Sequence, residues 1–388
     1  MSDKPVGFGD FGNSDSKVEL LWPDGTSRKV SFSSIAAALG TNPPDIPAAH
    51  DPAAGHGFVF RWNGKYYAVG DVADSLGGRA IIGGDRYKSE LWQALVAGSL
   101  CALLDESSVI NLTVATPLMG GEAAEETIQR VLEGVYKVKL YTPSSSGNTG
   151  QRTIHVENVA TMRETEGAYY YYLLDERGYP RPDEFYKGLN PKCTSVQDLY
   201  DNGLVVVDGG GWTLDYLPVN RLAPDFARGI TQRDRVGLNW VTTWFQNALQ
   251  SHPVVGGGGD RPREILRSAL VPRYTSTGRM KFEIKYGQRQ VNVVECVQEA
   301  VGPLDLEIAK YVLQFLNGGV DNAYILLTGG AAEAAFPWLE DTINHVAKQL
   351  GVTNHTFVLK PDTAIEPWWH NVEGMKRRTL YRRNRRSS

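Results

Sequence analysis

The sequence predicts an α/β protein made of two related halves. Three observations carry that reading. Short β-branched apolar runs alternate with stretches of helical apolar spacing along the chain. At Asp10 and again at Asp208, about half a chain apart, an acid is followed by a glycine turn and a second apolar run. A third strand–glycine junction, AYILLTGGAA at Ala323–Ala332, leads into a helical stretch. No short-period repeat competes with this loose duplication. Two α/β halves facing each other over a cleft are therefore expected.

Bulk composition narrows the class. The 388 residues allow two domains of ordinary size or one large one. With 42% hydrophobic and 22% charged residues the chain reads as a soluble globular protein with an ample core. A net charge of −4 gives the body no reason to bind nucleic acid or anionic lipid non-specifically. Cys101, Cys193 and Cys296 are odd in number and widely spaced, which argues against a disulfide framework or a zinc site and for a reducing interior. No apolar run approaches the roughly eighteen residues that span a bilayer. The N-terminus lacks the apolar segment of a signal peptide. The expected compartment is the cytoplasm.

Taken in order, Asp10-Phe11-Gly12-Asn13-Ser14-Asp15-Ser16-Lys17 is a turn before the strand Val18–Trp22. Asn13 and Ser14 suit a turn aimed at a ligand, and Lys17 is a point charge suited to a phosphate. Residues 22–90 read as a small loop-rich region. Within it, Asn42–His56 is proline-rich loop and Phe58–Val69 a hairpin turning at Asn63-Gly64. Ser89–Leu104 has the spacing of a helix, Val109–Pro117 that of a buried strand, and Glu122–Gly134 that of an amphipathic helix. Lys137–Tyr141 and Gln151–Thr161 read as strands joined by a flexible Ser144–Gly150 loop. Glu164 and Glu166 stand at the mouth of a helix, where the dipole favours carboxylates. Gly178–Tyr200 reads as an inserted surface segment.

Leu204–Val207 is a central strand ending in Asp208. Gly209, Gly210 and Gly211 follow, and Trp212–Asp215 begins the return. Glycine admits positive φ and lets main-chain N–H groups approach an anion, and successive N–H groups form an anion-binding concavity. A carboxylate beside bound phosphates needs a bridging cation, so this reads as a phosphate-plus-Mg²⁺ turn. Asn239–Leu249 is a helix. Gly256–Gly259 lacks a preceding strand and a following Lys-Ser/Thr, so it reads as a loop tip and not a phosphate loop. Paired strands at Lys281–Val294 and a long helix at Glu295–Leu316 come next. Ile325–Leu327 is a strand, and Thr328, Gly329 and Gly330 form a turn able to pass main chain against a base or sugar. Glu333 onward reads as helical, Trp338–Leu350 as an amphipathic helix, and Thr356–Leu359 as a short strand. The tail, with Lys376, Arg377, Arg378, Arg382, Arg383, Arg385 and Arg386, is basic; a helix from near Asn371 is expected to fray into it. Such a run reads either as a solvated terminus or as a surface for DNA or a partner. Each turn, taken singly, also has a structural reading as a hairpin or strand-to-helix turn.

In type, order and separation the three turns resemble those of the actin-like ATPases, shared by actin, sugar kinases and heat-shock chaperone ATPases. Within that superfamily the chain looks most like the ParM-like bacterial and archaeal actins that segregate plasmids. Asp10–Lys17 is similar to the first phosphate motif, Asp208–Asp215 to the second, and Leu327–Ala332 to the adenosine motif. Val114–Pro117 resembles the group's strand-end "VGLP", Thr165–Ala168 its "PEG-x-A", and Asn371–Lys376 its closing "NARG". The likeness spans nearly the whole chain. It departs where Thr165 replaces the proline before Glu166, where Gly178–Gly203 lengthens the path to the second turn, and in the strongly basic tail.

The resemblance implies an α/β, actin-like (ribonuclease H-like) duplicated fold with two lobes around a nucleotide cleft. Lobe I would take residues 1–167, with a small subdomain at about 30–85, completed by 362–388; lobe II would take 168–361. It implies ATP and Mg²⁺ as ligands. Gly12, Asn13, Ser14, Lys17, Gly209, Gly210, Gly211 and Thr213 would hold the phosphates, and Gly329, Gly330 and Ala331 would pack on the adenosine. Asp10 and Asp208 would hold the metal through water. Glu166 would orient the attacking water, with Glu164 as the alternative. It further implies head-to-tail self-assembly, a DNA-bound adaptor as partner, and a possible contact of the 376–386 tail with DNA or that adaptor. A sugar- or acetate-type kinase on the same fold would need a second-substrate pocket and a base, for which the sequence carries no signal. A non-hydrolysing ATP-dependent scaffold is the third reading.

Overall fold

The computed structural model describes residues 4–42, 44, 57–119, 121–141, 151–256, 259, 261–274, 279–315, 324–352 and 355–387. The prolines at 43, 47 and 52, the loop at 144–150, and Gly257 and Gly258 lie outside the described residues. The chain forms two compact units, Met1–Tyr179 with Asn371–Ser388, and Pro180–His370. Each has its own apolar core.

The first unit is built on one ten-stranded sheet. Its strands are β1 (Val6–Phe11), β2 (Asp15–Leu21), β3 (Ser27–Ser33), β4 (Ile35–Gly40), β5 (Phe58–Trp62), β6 (Lys65–Val69), β7 (Arg79–Ala80), β8 (Ser108–Thr116), β9 (Gly134–Leu140) and β10 (Arg152–Arg163). They lie in the order β3-β2-β1-β8-β10-β9-β5-β6-β4-β7. β8 runs parallel to both β1 and β10, so the strand ends at Phe11, Thr116 and Arg163 fall on one edge. Residues 22–90 are thus less loop-like than their sequence reads: β5 pairs with β9 and carries β6, β4 and β7 into the same sheet. The Ala-rich Ile35–Gly40 has weak β propensity, and its pairing supplies what its composition lacks. The Asn63-Gly64 turn is as expected, with φ of 48° and 82°. Helix Glu90–Leu103 is capped by Ser89, whose side chain accepts from Trp92 N, and is buried along most of its length.

The second unit centres on β11 (Leu204–Gly209), flanked by antiparallel β12 (Leu214–Asn220) and by the parallel strand Tyr324–Thr328, with Phe357–Leu359 beyond it. All six residues of β11 are buried, as the continuous apolar run requires. Residues 178–200 are not the surface insertion their prolines indicate. They carry helices Asp183–Leu189 and Val196–Asn202, and bury Tyr186, Cys193 and Leu199. Asn190 Nδ2 donates to Val358 O at 3.0 Å and Lys360 N to Leu189 O at 3.0 Å, so this segment covers the Phe357–Leu359 edge. The two helical readings after Gly330 merge into one helix, Ala332–Gln349, which runs through Pro337.

The tail also departs from expectation. It is helical over His370–Ser387, and its first cations turn inward. Lys376 Nζ meets Glu19 at 2.8 Å and Glu373 at 2.7 Å. Arg377 Nη1 donates to the carbonyls of Tyr171 and Leu174, both at 2.8 Å, capping the C-terminus of helix Glu164–Leu173. Arg382, Arg385 and Arg386 stay exposed. A run of cations reads the same in sequence whether water or buried carboxylates neutralise it.

Candidate functional site

In the first unit the β1–β2 turn brings Asp10 and Lys17 opposite each other in register. Lys17 Nζ donates to Asp10 Oδ2 at 2.9 Å, and both are buried. The ammonium expected to face a phosphate is therefore already engaged by Asp10. Asp10 Oδ1 is buried and accepts no hydrogen bond among the described residues. Gly12 closes the turn, its N–H donating to Asp15 O at 3.1 Å. A Cβ on Gly12 would stand 3.1 Å from Asp15 O and 3.7 Å from Asp10 Oδ1, so glycine keeps that oxygen clear. The Asn13 main-chain N–H has no partner among the described residues, while Ser14 O accepts from Ser34 N at 2.8 Å.

Two residues that sequence reasoning gave no role stand beside this turn. Arg86 donates to Asn13 Oδ1 through Nη1 and to Tyr87 Oη through Nη2, the latter at 3.0 Å. Burial pushes the Tyr87 hydroxyl up to about 12, and the charges of Glu164 and Asp10 both reach it. Helix Glu164–Leu173 follows β10 directly. On a helix, residues two apart point to different sides. Glu164 accordingly lies within electrostatic reach of Tyr87, whereas the Glu166 carboxylate meets Arg378 at 3.1 Å. Burial raises the Glu166 carboxyl despite Arg378.

In the second unit Asp208 and Asp215 face each other across β11 and β12. Both are buried. Burial, with the adjacent Asp208 charge, pushes the Asp215 carboxyl well above the usual carboxylate range, against hydrogen bonds from Thr231 and Thr213. The Thr213 hydroxyl, expected to serve a phosphate, donates to Asp215 Oδ2 at 3.4 Å.

The turn between these strands is set by the helix that follows. Leu238 N donates to Gly210 O at 2.9 Å and Asn239 N to Gly211 O at 3.0 Å. In a trans peptide the carbonyl and the next N–H point opposite ways. Tying those carbonyls to helix Leu238–Gln250 therefore turns the N–H groups of Gly211 and Trp212 away from it. Trp212 was not among the expected residues; the helix that fixes its amide lies 26 positions on.

The glycines act by close approach and not by positive φ, which none of Gly12 and Gly209–Gly211 adopts. A Cβ on Gly209 would lie 2.9 Å from Ala331 Cβ, and one on Gly330 2.8 Å from Leu238 Cδ2. Positive φ occurs at Gly329, at 81°, where a Cβ would stand 2.3 Å from Asp208 Oδ1. Ala331 N donates to Gly209 O at 3.2 Å. Asp208, Gly209, Gly329 and Ala331 thus form one interlocked corner.

Taken one at a time, each turn fits a phosphate group and, beside its acid, a water-coordinated cation. N–H groups at Asn13, Gly211 and Trp212 suit anions, and the Asp10 Oδ1 atom is an orphaned acceptor. Among the described residues no three or more His, Cys, Asp or Glu side chains cluster to hold a metal directly. No helix there is long and apolar enough to cross a membrane.

No protein-family model and no curated protein matches the sequence. Solved structures do match. Ta0583, an archaeal actin homologue, gives a TM-score of 0.65 at 18% identity, over 98% of this chain and 99% of that one. The actin-like protein Alp7A gives 0.70 at 15% identity, over 98% and 97%. Bacillus thuringiensis ParM with ATP gives 0.64 at 13% identity, over 99% and 100%. Two α/β units, each with an acid–glycine turn at the end of a central strand, and these whole-length matches lead to one conclusion: the chain has the actin-like fold seen in archaeal actin homologues and ParM proteins.

Proposed function

We propose that the chain binds ATP with Mg²⁺, hydrolyses it, and assembles head-to-tail into filaments in the cytoplasm, with DNA (plasmid) segregation or cytoskeletal positioning as their use. The observation that carries this is the pair of acid–glycine turns, each with a buried carboxylate, the first with an unpartnered Asn13 N–H among the described residues and the second with the Gly211 and Trp212 N–H groups turned away from the following helix. Structures of the same fold hold nucleotide: Ta0583 in complex with ADP and Bacillus thuringiensis ParM with ATP.

In this reading Gly12, Asn13 and Ser14 bind phosphate from the first unit, and Gly209, Gly210, Gly211 and Thr213 from the second, with Trp212 added for its amide. Lys17 acts chiefly by holding Asp10 in place. Gly329, Gly330 and Ala331 line the adenosine. Asp10 and Asp208 hold Mg²⁺ through water; the ion, when bound, neutralises charge on the phosphates. The water-orienting role that the resemblance gives to Glu166 passes to Glu164, because the Glu166 carboxylate is committed to Arg378. Catalysis is then placement and electrostatics, as phosphoryl transfer generally is. Assembly follows from heterologous contacts that do not close. Any adaptor or DNA contact of the tail falls to the exposed Arg382, Arg385 and Arg386.

Sedimentation and light scattering with ATP, ADP or no nucleotide, alongside phosphate release, test this. ATP-dependent pelleting with phosphate release is expected. Phosphate release that needs an added small-molecule acceptor would instead indicate a kinase. An Asp208→Ala variant with undiminished ATPase would remove the metal assignment.

A further inference from the structure

Arg86 sits in a short 3-10 turn, Gly84–Lys88, between β7 and helix Glu90–Leu103. It is only 6% exposed. Among the described residues its side-chain hydrogen bonds go to neutral oxygens, Asn13 Oδ1 and Tyr87 Oη, and its guanidinium carbon lies 4.9 Å from the Tyr87 ring centroid. Among the described residues the buried Arg86 Nε has no hydrogen-bond partner. Among the described residues no carboxylate pairs with it: Asp10 is taken by Lys17 and Glu166 by Arg378. A buried cation is costly unless an anion neutralises it. A guanidinium has five N–H donors. With Nε enclosed and one N–H of each Nη on a neutral oxygen, the second N–H of each Nη is left for an anion beside Asn13. The Asn13 main-chain N–H has no partner among the described residues, and this is half of an oxyanion site.

We propose that Arg86 binds the terminal phosphate of a nucleoside triphosphate, and so distinguishes the triphosphate from the diphosphate. The inference rests on the ATP reading above and adds a residue to it. The class of ligand follows from the donors, a planar cation beside main-chain N–H, which match a phosphate. Assignment to the terminal phosphate follows from position. The Asn13 that Arg86 reaches stands just past the end of β1 at Phe11, and Glu164, assigned to the attacking water, stands just past the end of β10 at Arg163, on the same end of one sheet. A phosphate there is the one that reacts.

The test compares wild type, Arg86→Gln and Arg86→Lys by thermal melting and by direct titration with ATP and with ADP, Mg²⁺ present. Arg86→Gln should melt no lower than wild type without nucleotide, since it removes a buried charge that lacks a counter-ion. Its ATP affinity should fall about ten- to hundredfold, the worth of a charge-assisted hydrogen bond, while ADP affinity stays within about threefold of wild type. Arg86→Lys keeps charge without the fork and should lose less ATP affinity than Arg86→Gln; if Arg86→Gln does not fold, its ATP-against-ADP contrast carries the test. Equal weakening toward ATP and ADP overturns the assignment to the terminal phosphate. A lowered apo melting point with nucleotide affinities unchanged makes Arg86 structural and overturns the proposal. Wild type that binds neither nucleotide overturns the ATP reading itself.

Discussion

Arg378 Nη2 lies 3.1 Å from Glu166 Oε1, joining the last helix of the chain to the helix that begins at Glu164. The Arg378 guanidinium also lies 4.9 Å from the Tyr170 ring centroid. Burial raises the Glu166 carboxyl in spite of this partner, so desolvation outweighs the attraction. A pair of that kind stabilises little as a pair, yet breaking it strands a charge. Arg378→Met alone should destabilise by about 1–3 kcal/mol, less than a fully buried pair because the charges of Arg163 and Arg382 also favour the Glu166 carboxylate. Glu166→Leu with Arg378→Met should recover most of that loss in urea unfolding. A double variant no more stable than the single one would show that the pair carries net stability.

The same geometry separates the two acids of this helix. Glu164→Gln should lower phosphate release by about 10²–10⁴-fold, the usual worth of a positioned general base, with ATP affinity little changed. Glu166→Gln should leave hydrolysis within about tenfold of wild type. The reverse ranking in single-turnover assays would return the role to Glu166.

Gly167 and Gly374 mark where these helices touch. A Cβ on Gly374 would lie 1.7 Å from Gly167 O, and one on Gly167 would lie 2.5 Å from Asn371 O. The two main chains are in direct contact, and a methyl group at either site forces them apart. Gly374→Ala should cost about 1–3 kcal/mol or more, as overpacking does, and Gly167→Ala a similar amount. An unchanged urea midpoint for Gly374→Ala would mean the helices separate at no cost.

This contact explains what was legible in the sequence. TEGA and NVEGMK each stand out because a glycine is fixed where two backbones meet, and the residue type itself records the constraint. The buried run ending at Asp208 was legible for a different reason: burial on both faces leaves a continuous apolar signature. Partners were not legible. Lys17 reads as a free point charge until β1–β2 register sets it opposite Asp10. Arg86 carries no local signal, because its partner Asn13 is 73 positions away. Lys376 and Arg377 look like a solvated tail because the groups that neutralise or cap with them, Glu19, Tyr171 and Leu174, belong to elements far upstream. β4 was missed since pairing with β6, and not its own alanines, makes it a strand.

Asp305 gives a prediction that depends on pH. It lies in helix Val294–Phe315, is 1% exposed, and its Oδ1 has no hydrogen-bond partner among the described residues. Burial alone raises its carboxyl well above the usual carboxylate range. The unfolded chain releases this proton near pH 3.9, whereas the folded chain keeps it to higher pH. Over that interval the folded state binds more protons, so stability falls as pH rises from about 4 toward the folded value. Asp305→Asn has no proton to lose and should be spared that fall. Its stability relative to wild type should therefore improve between pH 5 and pH 8, by about 1–3 kcal/mol, the scale of burying a poorly satisfied polar group. Taking the difference between the two proteins at each pH cancels the other raised acids, such as Asp215 and Glu333. Urea unfolding of both at the two pH values measures it. A gap that does not change with pH would place the proton elsewhere.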